Sequence, residues 1–350
     1  MSSEIHQLPP FEKSIRQRIE GLDELRGIAV LLVLAAHCFN FRKSDWLQHF
    51  HLGSAAVDLF FVVSGYLIAR ILMTGRNEPR YYRKFYVRRV FRILPLYLLV
   101  VFAGLAIAAW RGKEIKSGLC YLCFAQNFLF DPSYGDGNLL PPDFAIIPGL
   151  GPLWSLAIEE QFYLLMPIAI ATISTRWLTF AVVGTAALGV YLNLLATQSC
   201  LDCQWITYTN FRLPWLRMQF LSFGVLLNFQ HRWKYLSVVF LFWLSMALLS
   251  QRSCHWMQFL AGCGIVSIVD LAITGKCRIR NQYLARIGVL CFGIYVLHLP
   301  ILIIMRLILE KLHLPDVLFF LAFVGVSIGV AAISFRIFES PIQRFRTRFE

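Results

Sequence analysis

The stretch GLDELRGIAVLLVLAAHCFNF, residues 21–41, decides how the chain is read. From Gly27 onward it is an apolar run of helical length, yet Asp23, Glu24 and Arg26 stand at its mouth and His37 lies inside it. An ionisable side chain at membrane depth is costly and marks a functional position until another reason for it is found. The composition around it is that of a membrane protein: 58% of the 350 residues are hydrophobic and 15% are charged, against roughly 45–50% and about 25% in soluble domains. The formal charge of +13 reads as basic loops facing an anionic inner leaflet. No nucleic acid is expected as a partner, because the chain has no basic soluble domain to carry it.

Apolar segments of roughly spanning length, about 17–25 residues, fall at 26–41, 54–70, 93–110, 152–174, 177–198, 212–230, 234–250, 255–274, 286–309 and 315–338. The segment GLCYLCFAQNFLF at 118–130 is ambiguous by hydropathy, and the positive-inside rule decides it. If it does not cross, the greater part of the 33 Lys and Arg fall near cytoplasmic ends. If it crosses, every later loop flips and the two sides become nearly equal. The expected fold is therefore an all-α polytopic bundle of about ten transmembrane helices, with both termini cytoplasmic and a re-entrant or interfacial piece at 118–130. The acidic loop 131–151, which has no Lys or Arg, then lies outside. Helices are expected rather than a barrel because the alternation of membrane strands is absent. Residues 1–20 read as a cytoplasmic tail with no cleavable signal, 21–343 as one membrane domain, and 344–350 as a basic cytoplasmic tail.

Arg26 and His37 are 11 positions apart, about 16.5 Å of rise, and within about 20° of one helix face. Imidazole is the side chain best suited to take and return a proton near neutral pH. A histidine in an apolar run is commonly no more than a packed, hydrogen-bonded residue. Arg26 on the same face, with Asp23 beside it, and Asp58 at the outer end of the next span move the reading toward catalysis. Asp58 is expected to orient the His37 ring if it lies within hydrogen-bond reach.

Other buried polar groups recur along the chain. The second span contributes Asp58, Ser64 and Tyr66. The stretch RYYRKFYVRRVFRILPLY, residues 80–97, sits against the inner surface, and two uses compete for Arg88, Arg89 and Arg92. One is attraction to anionic lipid; the other is recognition of a ligand's phosphates by guanidinium forks. In GPLWSLAIEEQFYLLMP, residues 151–167, Glu159 and Glu160 follow Trp154 and Ser155 by about a turn at the outer start of a span. Two adjacent acids cannot share a face, so one is expected to face the bundle and the other the interface. GVLCFGIYVLHLP, residues 288–300, sets Tyr295 and His298 one turn apart, and FRIFESPIQ, residues 335–343, places Glu339 two residues before Pro341.

In order, these motifs resemble the acyltransferase-3 family of membrane acyltransferases over about residues 21–343. Leu22 to Gly27 resembles its L-D-x-L-R-G opening, and Arg26 to His37 its R-x10-H pair. Asp58 to Ile68 resembles D-L-F-F-V-x-S-G-Y-L-I, Arg88 to Tyr97 resembles R-R-x-x-R-I-x-P-x-Y, and Trp154 to Tyr163 resembles W-S-L-x-x-E-x-x-F-Y. Tyr295 to Pro300 resembles Y-x-x-H-x-P, and Glu339 to Pro341 resembles E-x-P. Ala56 stands where a glycine often does, and Cys291 where a serine usually does. The resemblance implies transfer of an acyl group, most often acetyl from acetyl-CoA, to a hydroxyl of an extracytoplasmic glycan or lipid-linked glycan. His37 would be general base or acyl carrier, with Arg26 and Glu159 beside it in the reaction, and Arg88, Arg89 and Arg92 would hold acyl-CoA. Asp23, Asp58, Ser64, Tyr66, Trp154, Ser155, Tyr295 and His298 would support them. The implied setting is a bacterial cytoplasmic membrane. A stand-alone form is expected, without the hydrolase-like domain some members carry, with acyl-CoA as co-substrate and no bound cofactor.

A secondary transporter of an acyl donor or glycan intermediate would use the same Arg, His and Glu as a relay, but the halves of the chain show no repeat. The nine cysteines form no disulfide framework. Cys120 and Cys123 lie in apolar surroundings and read as packing, not as a metal site. Cys200 and Cys203 fall in a short outer loop where a bridge could form but is not required.

Overall fold

The computed structural model describes residues 10–41, 52–112, 118–128, 149–198, 214–250, 253–276, 279–309 and 314–349. All regular structure among them is helical. In chain order the helices are α1 (Pro10–Phe41), α2 (Leu52–Gly75), α3 (Tyr81–Trp110), the short α4 (Gly118–Leu122), α5 (Trp154–Thr172), α6 (Thr175–Gln198) and α7 (Pro214–Leu226). They continue with α8 (Arg232–Ser250), α9 (Ser253–Thr274), α10 (Gln282–Val289), α11 (Cys291–Leu309), α12 (Asp316–Ser334) and α13 (Ser340–Phe345). Among the described residues, six stretches are long and apolar enough to cross a membrane: Gly53–Gly75, Tyr81–Trp110, Gly151–Thr172, Thr175–Leu195, Cys291–Ile308 and Asp316–Phe345. The protein is thus an integral membrane protein, all-helical in its described residues. The fuller count of about ten crossings rests on the sequence.

Close backbone contact sets the frame. A side chain at Gly27 in α1 would run into the Leu284 carbonyl of α10, and one at Gly288 would run into the Asp23 carbonyl of α1. The same happens where α2 meets α7: a Cβ at Gly65 would strike the Leu221 carbonyl, and one at Gly224 the Val62 carbonyl. In lipid, helices associate by packing rather than by expelling water, so small residues at crossings let backbones approach. The glycines ending L-D-x-L-R-G and lying within V-x-S-G-Y therefore serve packing. α1 lies against α2, α9, α10 and α11, while α2 lies against α1, α5, α7 and α9. These two helices are the centre of the bundle.

Several boundaries differ from the sequence reading. α1 reaches back to Pro10, into residues assigned to a tail. The span expected at 286–309 is broken at Leu290, leaving α10 as a separate helix on α1. Asn281 caps α10, its side chain accepting from the backbone N–H of Tyr283 at 2.9 Å and of Leu284 at 3.1 Å, and so satisfies two donors that the helix leaves unpaired. The last expected span, 315–338, ends its α-helix at Ser334 and continues as a π-turn over Phe335–Glu339. That extra residue per turn rotates Glu339 into the bundle, where it is buried and accepts from Ser334 Oγ at 3.1 Å.

Residues 118–128 form a five-residue helix and a 3-10 turn, Gln126–Phe128, too short to cross. They dock between α3 and α5. Tyr97 Oη donates to the Tyr121 carbonyl at 2.7 Å, Gln161 Nε2 to the Phe124 carbonyl at 2.8 Å, and Gln126 Nε2 to the Leu153 carbonyl at 2.7 Å. The thiols of Cys120 and Cys123 are free. The loop most acidic in sequence, and Cys200 and Cys203, lie outside the described residues.

Candidate functional site

A cavity of about 690 Å³, its open mouth included, lies among α1, α2, α3, α5 and α11. Three guanidinium groups line it: Arg26 from α1, and Arg89 and Arg92 from α3. Arg89 and Arg92 are three residues apart and so share a helix face. Arg88, rotated by about 100°, is exposed and lies outside the cavity. Hydroxyls of α3 latch it to α5, since Tyr86 Oη donates to the Leu164 carbonyl at 2.9 Å and Tyr81 Oη to the Pro167 carbonyl at 3.3 Å. Arg89 then reaches across to lie 4.9 Å from the Tyr163 ring centre.

Glu159 enters the same cavity from α5. One carboxylate oxygen accepts from Ser64 Oγ and the other from Tyr163 Oη, both at 3.0 Å. It is held by α2 and by its own helix in the cavity that the arginines line. Glu160 does not line the cavity, and its enclosed Oε1 has no hydrogen-bond partner among the described residues. Arg26 is bonded to Asp23 at 3.0 Å. Cys291 also faces the cavity.

The histidines lie beyond this cavity. His37 Nδ1 is 2.9 Å from the Val33 carbonyl, and His298 Nδ1 is 2.6 Å from the Tyr295 carbonyl. The two rings face each other edge-on with centroids 4.9 Å apart, and neither lines the cavity. Tyr295 connects the two regions. Its side chain lines the cavity, its ring lies 5.6 Å from that of His298, and its hydroxyl is bonded to Ser155 Oγ at 2.6 Å and to the Pro152 carbonyl at 2.9 Å.

Three residues expected to support the site make other contacts. Asp58 does not orient His37: it forms a buried ion pair with Arg217 of α7 at 2.7 Å, while the His37 ring is held by its own helix. A carboxylate this buried needs a cation, and Arg217, placed by the Gly65–Gly224 crossing, supplies it. Tyr66 and Trp154 are core residues, Trp154 packing 6.4 Å from the Phe61 ring. Sequence reasoning passed over Arg217, although an arginine inside the apolar segment 212–230 was signal enough. Tyr163, which lay inside a quoted motif, was not singled out either.

The family model for the acyltransferase-3 acyltransferase domain matches residues 19–337. The chain belongs to this family. This acyltransferase-3 domain is 28% identical to the peptidoglycan O-acetyltransferase OatA of Listeria monocytogenes, across 94% of this chain and 56% of that protein. It is 30% identical to the O-acetyltransferase OatA of Staphylococcus aureus strain NCTC 8325, across 60% of this chain and 34% of that protein. The chain therefore spans about half the length, or less, of these relatives. No solved structure matches it.

Proposed function

We propose that this protein is a membrane O-acetyltransferase that moves acetyl from cytoplasmic acetyl-CoA to a hydroxyl of a cell-envelope glycan, peptidoglycan being the acceptor class named for its relatives. The observation that carries this reading is the cavity that Arg26, Arg89, Arg92 and Glu159 line together, with Tyr295 leading on to the His37–His298 pair. Three cations in an apolar bundle suit the anionic part of acyl-CoA, which guanidinium groups bind by charge-assisted hydrogen bonds. Glu159, held by two hydroxyl donors, orients Arg89 and Arg26 toward that ligand.

His37 is the base. A carbonyl oxygen can only accept, so the contact with Val33 puts the ring proton on Nδ1 and leaves Nε2 as the lone pair. As the acceptor oxygen bonds to the thioester carbon, Nε2 takes its proton; the C–S bond breaks and the proton ends on the departing thiolate. The Tyr295 ring stands beside the path of the acyl group, and its hydrogen bonds to Ser155 and Pro152 position it there. The acceptor approaches from the side opposite the donor, in a bundle of ten crossings with both termini cytoplasmic.

The test is transfer of label from [14C]acetyl-CoA to glycan in membrane vesicles. His37→Ala is expected to lower transfer by about 10²–10⁴, the usual worth of a general base, with normal amounts of inserted protein. A His37→Ala protein working at the parent rate would remove His37 from the reaction.

A further inference from the structure

His298 carries more than a packing role accounts for. It is fully buried, and its Nε2 is enclosed without any hydrogen-bond partner among the described residues. Buried polar atoms are nearly always paired, and an unpaired one needs a reason. The Tyr295 carbonyl, 2.6 Å from Nδ1, fixes the tautomer: Nδ1 carries the proton and Nε2 a bare lone pair. His37 has the same tautomer through Val33. Two neutral imidazoles thus sit side by side, centroids 4.9 Å apart, each with its outer nitrogen able only to accept. Neither can satisfy the other until one proton arrives.

We infer that His298 is a second catalytic imidazole, the station that shares the proton His37 removes from the acceptor hydroxyl. This rests on the acetyl-transfer reading above. When the hydroxyl oxygen attacks the thioester carbon, its proton moves to His37 Nε2. The resulting imidazolium N–H donates to the lone pair of His298 Nε2, which ends that atom's unpaired state at the moment positive charge appears. As the C–S bond breaks, the proton passes to the thiolate sulfur and both rings return to neutral. One proton leaves the acceptor, one arrives on coenzyme A, and nothing is oxidised or reduced. Two imidazoles suit a reaction whose acceptor and leaving group lie on opposite sides of the reacting carbon, because the proton has to be collected on one side and delivered on the other.

His298→Asn separates this from packing. Its side-chain amide nitrogen can still donate to the Tyr295 carbonyl, as Nδ1 does, but nothing replaces Nε2. In purified protein supplied with [14C]acetyl-CoA and soluble peptidoglycan fragments, the variant is expected to keep the parent KM for acetyl-CoA and to lose at least about tenfold in kcat, within the range of a lost acid–base group. An unchanged kcat overturns the proposal. Should the variant fail to fold, the parent protein decides alone: on acidification of protein labelled with 15N-histidine, the first proton taken up by the pair is expected to shift the Nε2 resonances of His37 and His298 together, because the two atoms share it. A proton that shifts the His37 resonance alone overturns the proposal whatever the variant does. A parent protein that leaves acetyl-CoA untouched sinks the acetyl-transfer reading and this inference with it, whereas an active parent with an equally active His298→Asn sinks this inference alone.

Discussion

Arg88, Arg89 and Arg92 are equivalent in a list of basic residues and differ in space. Only Arg89 and Arg92 face the cavity. Losing a charged hydrogen-bond donor costs about 1.5–3 kcal/mol, or about 10- to 150-fold in affinity. Arg89→Ala and Arg92→Ala are each expected to raise the KM for acetyl-CoA by that factor, and Arg88→Ala by no more than a few-fold. Equal, small effects in all three would return the stretch to lipid anchoring. Glu159 and Glu160 differ in the same way. A step of about 100° puts one acid on two hydroxyl donors in the cavity and turns the other away from it. Asp58 shows the limit of such reasoning, since its partner Arg217 is 159 positions away and no local pattern joins them.

At the scale of elements, the glycine crossings hold the site in register. Ser64 reaches Glu159 from the residue before Gly65, so the α2–α7 contact that needs Gly65 also sets the depth of Ser64. Gly65→Ala would push a methyl group into the Leu221 carbonyl and is expected to lower stability by about 1–3 kcal/mol, the usual cost of overpacking. Gly184→Ala, where a Cβ meets nothing within 4 Å, is its control. Thermal melting in detergent reads both, and equal melting temperatures would mean that the α2–α7 crossing is not tight. The break at Leu290 belongs here too: it frees α10 to lie on α1 through Gly27 and Gly288 while α11 turns Cys291 and Tyr295 toward the cavity.

For the whole molecule, the arrangement proposed for transfer needs donor and acceptor on opposite sides, and this depends on the segment at 118–130 staying on one face. Its described part is a five-residue helix and a turn bonded to α3 and α5, which agrees with the distribution of Lys and Arg. A topology reporter fused at Gly137 is expected to read as extracytoplasmic and one at Arg278 as cytoplasmic. A cytoplasmic reading at Gly137 would overturn the ten-crossing topology and the side from which the acceptor arrives.

Composition, apolar runs and charge placement were enough to make this an α-helical membrane protein, because lipid demands long apolar segments that satisfy their own backbones. The motifs, in their order, were enough to suggest the family. The spacing of Arg26 and His37 was legible because both lie on one helix, where 3.6 residues per turn fixes relative facing. What joins different helices was not legible: the Asp58–Arg217 pair, the Ser64–Glu159–Tyr163 bonds, the meeting of His37 with His298, and their separation from the arginine cavity by Tyr295. Only tertiary packing decided those, because hydropathy gives depth along each helix separately, while crossing points between backbones set how far one helix slides and turns against the next.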